Sequence, residues 1–220
     1  MAESQKFNKV EDFKAIRPTL YIGIGGTGKE IILRLRRRIL QTLWNGKRID
    51  SLDSFPVTSF YYIDTYTGKA LVDDKNRETD NDENNDEGLG KDPLIPLIEL
   101  SPESDCLQKE KKADFEKYFT SEIERYPHIK EWLPEGELKE IDPSEGAGQV
   151  RAISRLLFFD EFNNIKETIR DKISRLVIDV RDEENDLLKY YGLEINQNKE
   201  INVVVLCSLA GGTGSGGAHV

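Results

Sequence analysis

The sequence is poor in cysteine and histidine, and it has no long hydrophobic run. It holds two cysteines and two histidines among 220 residues, too few and too scattered for a disulfide framework or a zinc site. No run approaches the roughly 18 apolar residues that a membrane-spanning helix needs. Residues 1–17 lack the apolar stretch of a signal peptide. These absences predict a cytoplasmic protein with reduced thiols and no membrane span.

Basic charge is also in deficit. The chain has 31 Lys and Arg against 41 Asp and Glu, for a net charge of −10. Non-specific nucleic-acid binding needs a basic face, so we expect no nucleic-acid partner. Hydrophobic residues make up 37% of the chain, enough for a core, and charged residues 33%, which requires solvated helices or loops.

Two segments are predicted to lie outside the main domain. A polar leader spans residues 1–18. Residues 73–92 carry nine acidic against three basic residues and almost no large apolar side chain. Such a segment cannot bury enough surface to offset its ordering entropy, so we expect an acidic surface insertion. The remaining 19–220 is treated as one domain.

Three apolar runs predict strands of a parallel sheet. They are Thr19–Ile24, Val57–Ile63 (ending at Asp64) and Ile201–Cys207. The first is followed by a helical pattern and then by the second, which is the βαβ order. The third is a nearly continuous apolar run, typical of a strand covered on both faces. The fold class is therefore α/β, with a mostly parallel sheet and helices on both faces.

Two further stretches are predicted to be helical. One is Asp114–Tyr126. The other is a long helical region after Gly148, where apolar residues recur at three- and four-residue steps. That stripe consists of Phe162, Ile165, Ile169, Ile173, Leu176 and Val180.

The glycine-rich turn after the first strand fits two nucleotide motifs. Gly23–Lys29 satisfies G-x-x-x-x-G-K, a near P-loop, but Glu30 stands where that loop needs Ser or Thr to ligate magnesium. Gly23, Gly25 and Gly28 also satisfy G-x-G-x-x-G, with Asp64 as a ribose ligand of a dinucleotide fold. The physics common to both is an anion held by backbone amides at a helix N-terminus.

A second glycine-rich turn follows the third strand. Ala210–Gly216 reads Ala-Gly-Gly-Thr-Gly-Ser-Gly and precedes another predicted helix. Neither a P-loop enzyme nor a dinucleotide-binding dehydrogenase needs a second phosphate-binding turn of this type. The two turns together therefore distinguish this chain from both classes.

Ala210–Gly216 resembles the signature of the tubulin/FtsZ superfamily, a small residue followed by Gly-Gly-Thr-Gly-Ser-Gly. Three earlier parts are similar to the same family in the same order. Gly25–Gly28 resembles the FtsZ loop after the first strand, and Asp64 matches an aspartate that closes the second strand beside magnesium. Gly146–Gly148 is similar to the loop that faces the γ-phosphate. Tyr66 departs from the family, which has an acidic residue there.

The resemblance implies a divergent bacterial tubulin-like GTPase domain, Rossmann-like, with GTP or GDP and Mg²⁺ across the carboxyl ends of the strands. Partners would be further copies of the protein, assembled head to tail. It also implies that the chain is an N-terminal portion and holds no catalytic residue, because the water-activating acidic loop comes later in the family. Asp64 is the candidate metal neighbour, through water. The implied nucleotide-binding residues are Gly25, Gly26, Thr27, Gly28, Gly146, Ala147, Gly148, Ala210, Gly211, Gly212, Thr213, Gly214, Ser215 and Gly216.

Three other functions stay open at this point. They are a monomeric P-loop NTPase switch that uses Gly23–Lys29, an NAD-binding oxidoreductase, and a non-catalytic interaction module on a decayed GTPase fold. Tyr66 and the inserted segments favour the last of these. GTPase activity is the expectation for the full-length protein, and this chain alone is expected to be inactive.

Overall fold

A computed structural model describes the parts of the chain that build the sheet and its flanking helices. The described residues are 16–50, 52, 55, 57–65, 104–106, 118, 121–133, 147, 150–181, 186–194 and 200–217. The acidic segment 73–92, most of the predicted leader, Tyr66, Gly146 and Gly148 lie outside them. Expectations about these residues remain predictions.

The described strands form one parallel sheet of four. They are β1 (Thr19–Ile24), β2 (Thr58–Asp64), β3 (Ser104–Cys106) and β4 (Asn202–Cys207), in the order β3-β2-β1-β4. β1 is central, with Ile24 aligned to Ile63 on β2 and to Cys207 on β4. The carboxyl ends of these three strands therefore meet at the same edge.

Six helices and one 3₁₀ helix accompany the sheet in the described residues. They are α1 (Gly25–Leu40), the 3₁₀ helix (Ser121–Arg125), α2 (Pro127–Lys130), α3 (Arg151–Asp160), α4 (Phe162–Arg181), α5 (Asp186–Tyr190) and α6 (Gly212–Gly217). None of these described helices has both the length and the apolar character to cross a bilayer.

The sheet carries a hydrophobic core on each face. Alternate β1 residues point to opposite faces, so Leu20, Ile22 and Ile24 pack with α3 and α4, while Tyr21 packs on the α1 side. The α3/α4 core includes Ile153, Leu156, Leu157, Ile165 and Leu176, and the α1 core includes Ile32, Leu33, Ile39 and Phe60. The predicted α/β fold with helices on both faces is confirmed.

Two details of the sequence prediction are wrong. β4 is an edge strand within the described sheet, and Val203 and Val205 are 48% and 51% exposed, outside the core that α3 and α4 form with β1 and β2. Phe162 begins the predicted helical stripe but is 45% exposed. Of the helix predicted over 114–126, Tyr118 is α-helical and Ser121–Arg125 forms a 3₁₀ helix, while Tyr126 is not helical.

Candidate functional site

The candidate site lies where β1, β2 and β4 end. β1 passes directly into α1, which starts at Gly25 with no side-chain cap on its first amides. β2 ends at Asp64, and β4 leads through residues 208–211 into α6. In open α/β sheets, ligands bind at this carboxyl edge, where helix N-termini present free amides.

The first loop, Gly25–Gly28, is shaped by close backbone packing. Gly25 has a φ of +71°, which favours glycine. A Cβ on Gly28 would lie 2.5 Å from the Leu206 carbonyl oxygen, and one on Gly23 would lie 2.8 Å from the Gly28 oxygen. These glycines let α1 approach β1 and β4 closely. Gly26 differs, because a Cβ there would meet nothing within 4 Å.

The second loop, Ala210–Gly216, is fixed by hydrogen bonds as well as by packing. The Ala210 amide donates to Ser208 Oγ at 3.2 Å, and Ser215 Oγ donates back to the Gly211 and Gly212 carbonyls. A Cβ on Gly214 would lie 2.7 Å from the Ser208 carbonyl oxygen.

α6 also packs closely on α3, and glycine makes this approach attainable. A Cβ on Gly216 would lie 2.5 Å from Ser154 Cβ, and one on Gly217 would lie 2.5 Å from the Phe158 ring. Ser154 is fully buried and donates to the Thr213 carbonyl at 3.1 Å. Part of the signature therefore serves helix packing.

The two glycine loops touch each other, because the strands before them, β1 and β4, are parallel neighbours that end at the same edge. A Cβ on Gly25 would lie 3.3 Å from both Thr213 Cβ and the Gly214 nitrogen. The first turn of α1 and the first turn of α6 are thus neighbours at one point of the sheet edge. A ligand bound at this point of contact would lie beside both loops.

The Asp64 carboxylate lies at the centre of a hydrogen-bond network. Its Oδ1 accepts from the Thr65 amide at 2.8 Å and from Thr213 Oγ1 at 3.0 Å, and its Oδ2 accepts from the Tyr62 hydroxyl. Asp64 therefore ties the end of β2 to the second loop.

Thr65 extends this network to a third segment. It is 1% exposed, and its Oγ1 lies 2.7 Å from Thr213 Oγ1. The Ala147 amide donates to the same Oγ1 at 3.2 Å. Ala147 stands between Gly146 and Gly148, so the structure brings a member of each predicted loop to the site.

Two glycines stand where the described fold does not need them. A Cβ on Gly26 or on Gly211 would meet open space, and neither residue has a positive φ. At most other positions of the two loops, a neighbour or the backbone conformation explains the glycine. A glycine next to free helix amides allows an anion to approach the backbone. Gly26 and Gly211 therefore fit a phosphate contact.

A cation, Arg151, lies beside the second loop. Arg151 begins α3, which lacks a side-chain cap, and its guanidinium donates to the Leu209 carbonyl at 3.2 Å. Arg151 is exposed, so part of its guanidinium remains accessible from solvent. The described residues thus place positive charge beside the second loop.

The geometry argues against both alternative nucleotide motifs. A P-loop over Gly23–Lys29 needs a loop between strand and helix, but Gly23 is paired within β1 and α1 starts at Gly25. Glu30 instead forms an ion pair with Arg34 at 3.7 Å. A dinucleotide site would use Asp64 for ribose, yet that carboxylate is bonded to Thr213 of the second loop.

The described site offers fewer groups that could bind magnesium than groups that could bind phosphate. A carboxylate has about four lone-pair positions, and three on Asp64 accept bonds from Tyr62, Thr65 and Thr213. Among the described residues, no group of three His, Cys, Asp or Glu side chains gathers as metal ligands. A magnesium ion here would rely on phosphate oxygens and water, with Asp64 in its outer shell.

Sequence reasoning missed three residues that organise the site. Thr65 and Ser154 are buried hydroxyls that bond to the second loop, and Arg151 bonds to Leu209. Thr65 directly follows Asp64, and Arg151 follows the Gly146–Gly148 segment by three positions. Adjacency to the motifs was therefore the available signal, but the long-range partners depend on the fold.

Comparison with known families agrees with this geometry. The family model described as tubulin like matches residues 20–219, nearly the whole chain. Searches of curated proteins and of solved structures find no match. The matched span includes both glycine loops, Asp64 and Gly146–Gly148, hereafter the Ala147 segment. The chain therefore belongs to the tubulin-like family.

Proposed function

We propose that this chain binds the phosphates of GTP or GDP between its two glycine loops and the Ala147 segment. The observation that carries the proposal is that Gly26 and Gly211 are glycines the described fold does not need. Gly26 lies in the first turn of α1, which has no side-chain cap, and Gly211 directly precedes α6. Family membership supports guanine nucleotide as the ligand. Gly25, Thr27, Gly28, Gly212–Gly216 and Ala210 would contribute through backbone amides or through shape.

We further propose that the full-length protein assembles head to tail and hydrolyses GTP with a group from outside this chain. At the described site the Asp64 carboxylate and the Thr213 hydroxyl are engaged with each other. Neither is well placed to activate a water on a terminal phosphate, which phosphoryl transfer requires. Purified chain with GTP and magnesium should release phosphate no faster than a no-protein control.

Nucleotide titration of the 220-residue chain tests the binding proposal. Saturable binding is expected for GTP and GDP, detectably tighter than for ATP or NAD. Saturable NAD binding with none for GTP would contradict it.

Two variants locate the binding site. Gly26→Val and Gly211→Val should each weaken GTP binding by about tenfold or more, since a side chain would fill the space that a phosphate oxygen needs. Their melting temperatures should stay within a few degrees of that of the unmodified chain, because the Cβ, the first atom that valine adds, meets nothing within 4 Å at either position. Ser174→Val, at an exposed position of α4, is the matched control and should leave both quantities unchanged. Unchanged affinity in both glycine variants would place the nucleotide elsewhere.

A further inference from the structure

The hydroxyl of Thr65 joins two segments that are far apart in sequence. It accepts from the Ala147 amide at 3.2 Å and lies 2.7 Å from Thr213 Oγ1. The residue is 1% exposed, so water does not compete readily for these bonds. Thr65 belongs to neither glycine loop, yet it is hydrogen-bonded both to Ala147 and to Thr213 of the second loop.

The hydrogen bonds that link Ala147, Thr65, Thr213 and Asp64 form a series, and the direction of each follows from counting the available hydrogens. Thr213 Oγ1 donates its single hydrogen to Asp64 Oδ1, because a carboxylate oxygen accepts. Thr213 Oγ1 then has no hydrogen left to donate, so it accepts from Thr65. The hydroxyl hydrogen of Thr65 therefore points toward Thr213 Oγ1. The order is the Ala147 amide to Thr65, Thr65 to Thr213, and Thr213 to Asp64. Hydrogen bonds in such a one-way chain polarise and strengthen one another.

We propose that Thr65 is a positioning residue, which holds the Ala147 segment in register with the second glycine loop. Without its hydroxyl, Thr213 loses its donor and the Ala147 amide loses its acceptor. The two segments would then be aligned by packing alone. The effect on ligand affinity rests on the proposed nucleotide site, but the coupling between the segments does not.

The substitutions at Thr65 separate the hydroxyl from the side-chain volume. Thr65→Val keeps the shape and removes the hydroxyl, whereas Thr65→Ser keeps the hydroxyl. Exchange of the Ala147 amide, measured without nucleotide, should be roughly fivefold faster in Thr65→Val and near the original rate in Thr65→Ser. Equal exchange in all three proteins would overturn the proposal.

A double-mutant cycle with Thr213→Val provides a second measurement that needs no ligand. The hydroxyls of Thr65 and Thr213 belong to the same series of hydrogen bonds. In urea unfolding, the double variant should therefore lose less stability than the sum of the losses in the two single variants. Additive losses would show that the hydroxyls act independently, which would contradict the coupling.

Nucleotide affinity then tests what the coupling does. Thr65→Val should weaken GTP binding by about fivefold, and Thr65→Ser should restore it. If GTP binds Thr65→Val as tightly as the unmodified chain, Thr65 does not position the site. If the unmodified chain binds no nucleotide, the proposed function fails, while the exchange and unfolding data still decide whether Thr65 couples the segments.

Discussion

The same tetrapeptide, Gly-Gly-Thr-Gly, occurs at residues 25–28 and 211–214 but occupies different surroundings. Thr27 is exposed, while Thr213 donates to Asp64 and accepts from Thr65. The glycine at which a Cβ would meet open space also differs. In the first tetrapeptide it is the second residue, Gly26, and in the second tetrapeptide it is the first residue, Gly211. Identical residues therefore perform different tasks in the two loops.

The difference follows from what the topology places next to each loop. The first loop lies against β4 and the second loop, so its conformation depends on backbone contacts such as Gly28 with Leu206. The second loop lies between the end of β2 and α3, which supply Asp64, Thr65 and Ser154 as bonding partners. A loop motif fixes a turn, and the neighbouring elements decide which of its side chains are structural.

The last glycine of each tetrapeptide, Gly28 or Gly214, is the position where the two loops should behave alike. Gly28→Ala and Gly214→Ala each force a Cβ against a backbone carbonyl, at 2.5 and 2.7 Å. Each should lower the free energy of unfolding by about 3 kcal/mol or more. Thermal unfolding followed by circular dichroism should show a drop of roughly 6–12 °C. Gly26→Ala and Gly211→Ala are the controls and should melt within a few degrees of the unmodified chain. Equal melting of all four variants would contradict the close packing.

The threonines should respond differently. Thr213→Val removes a bond to a partly buried carboxylate and leaves Thr65 without its acceptor, so it should cost about 1–3 kcal/mol in urea unfolding. Thr27→Val, at an exposed position, should change the same free energy by less than about 0.5 kcal/mol. Similar losses in the two variants would abolish the distinction between the loops.

The sequence predicts the strands and turns of this site better than its side-chain hydrogen bonds. β1, β2, the turn after each strand and the Gly25–Thr213 neighbourhood follow from strand periodicity and from the rule that parallel strands end at one edge. Thr65 and Ser154 were not foreseen, because their roles depend on partners more than fifty residues away. The exposure of Val205 on β4 was missed for a related reason: an apolar run does not reveal whether a helix covers it.

The positive charge of Arg151 should contribute less to GTP affinity than the shape of the two glycine loops. Arg151→Gln removes the cation beside Leu209 and should weaken GTP binding by roughly threefold to tenfold, with a flatter dependence on salt. The control, Arg170→Gln, removes an exposed charge from α4 and should leave the affinity unchanged. Nucleotide titrations at low and moderate ionic strength measure both. Equal effects of the two substitutions would mean that only net charge matters.

We propose that three separate segments form one nucleotide site. Residue-resolved amide exchange, with and without saturating GTP, tests it most directly because each segment reports independently. We predict simultaneous slowing at Gly26–Gly28, at Ala147 and at Gly211–Ser215, with α4 as an unaffected internal reference. Slowing confined to one glycine loop, or absent from all three segments at saturation, would show that the three segments do not form one nucleotide site.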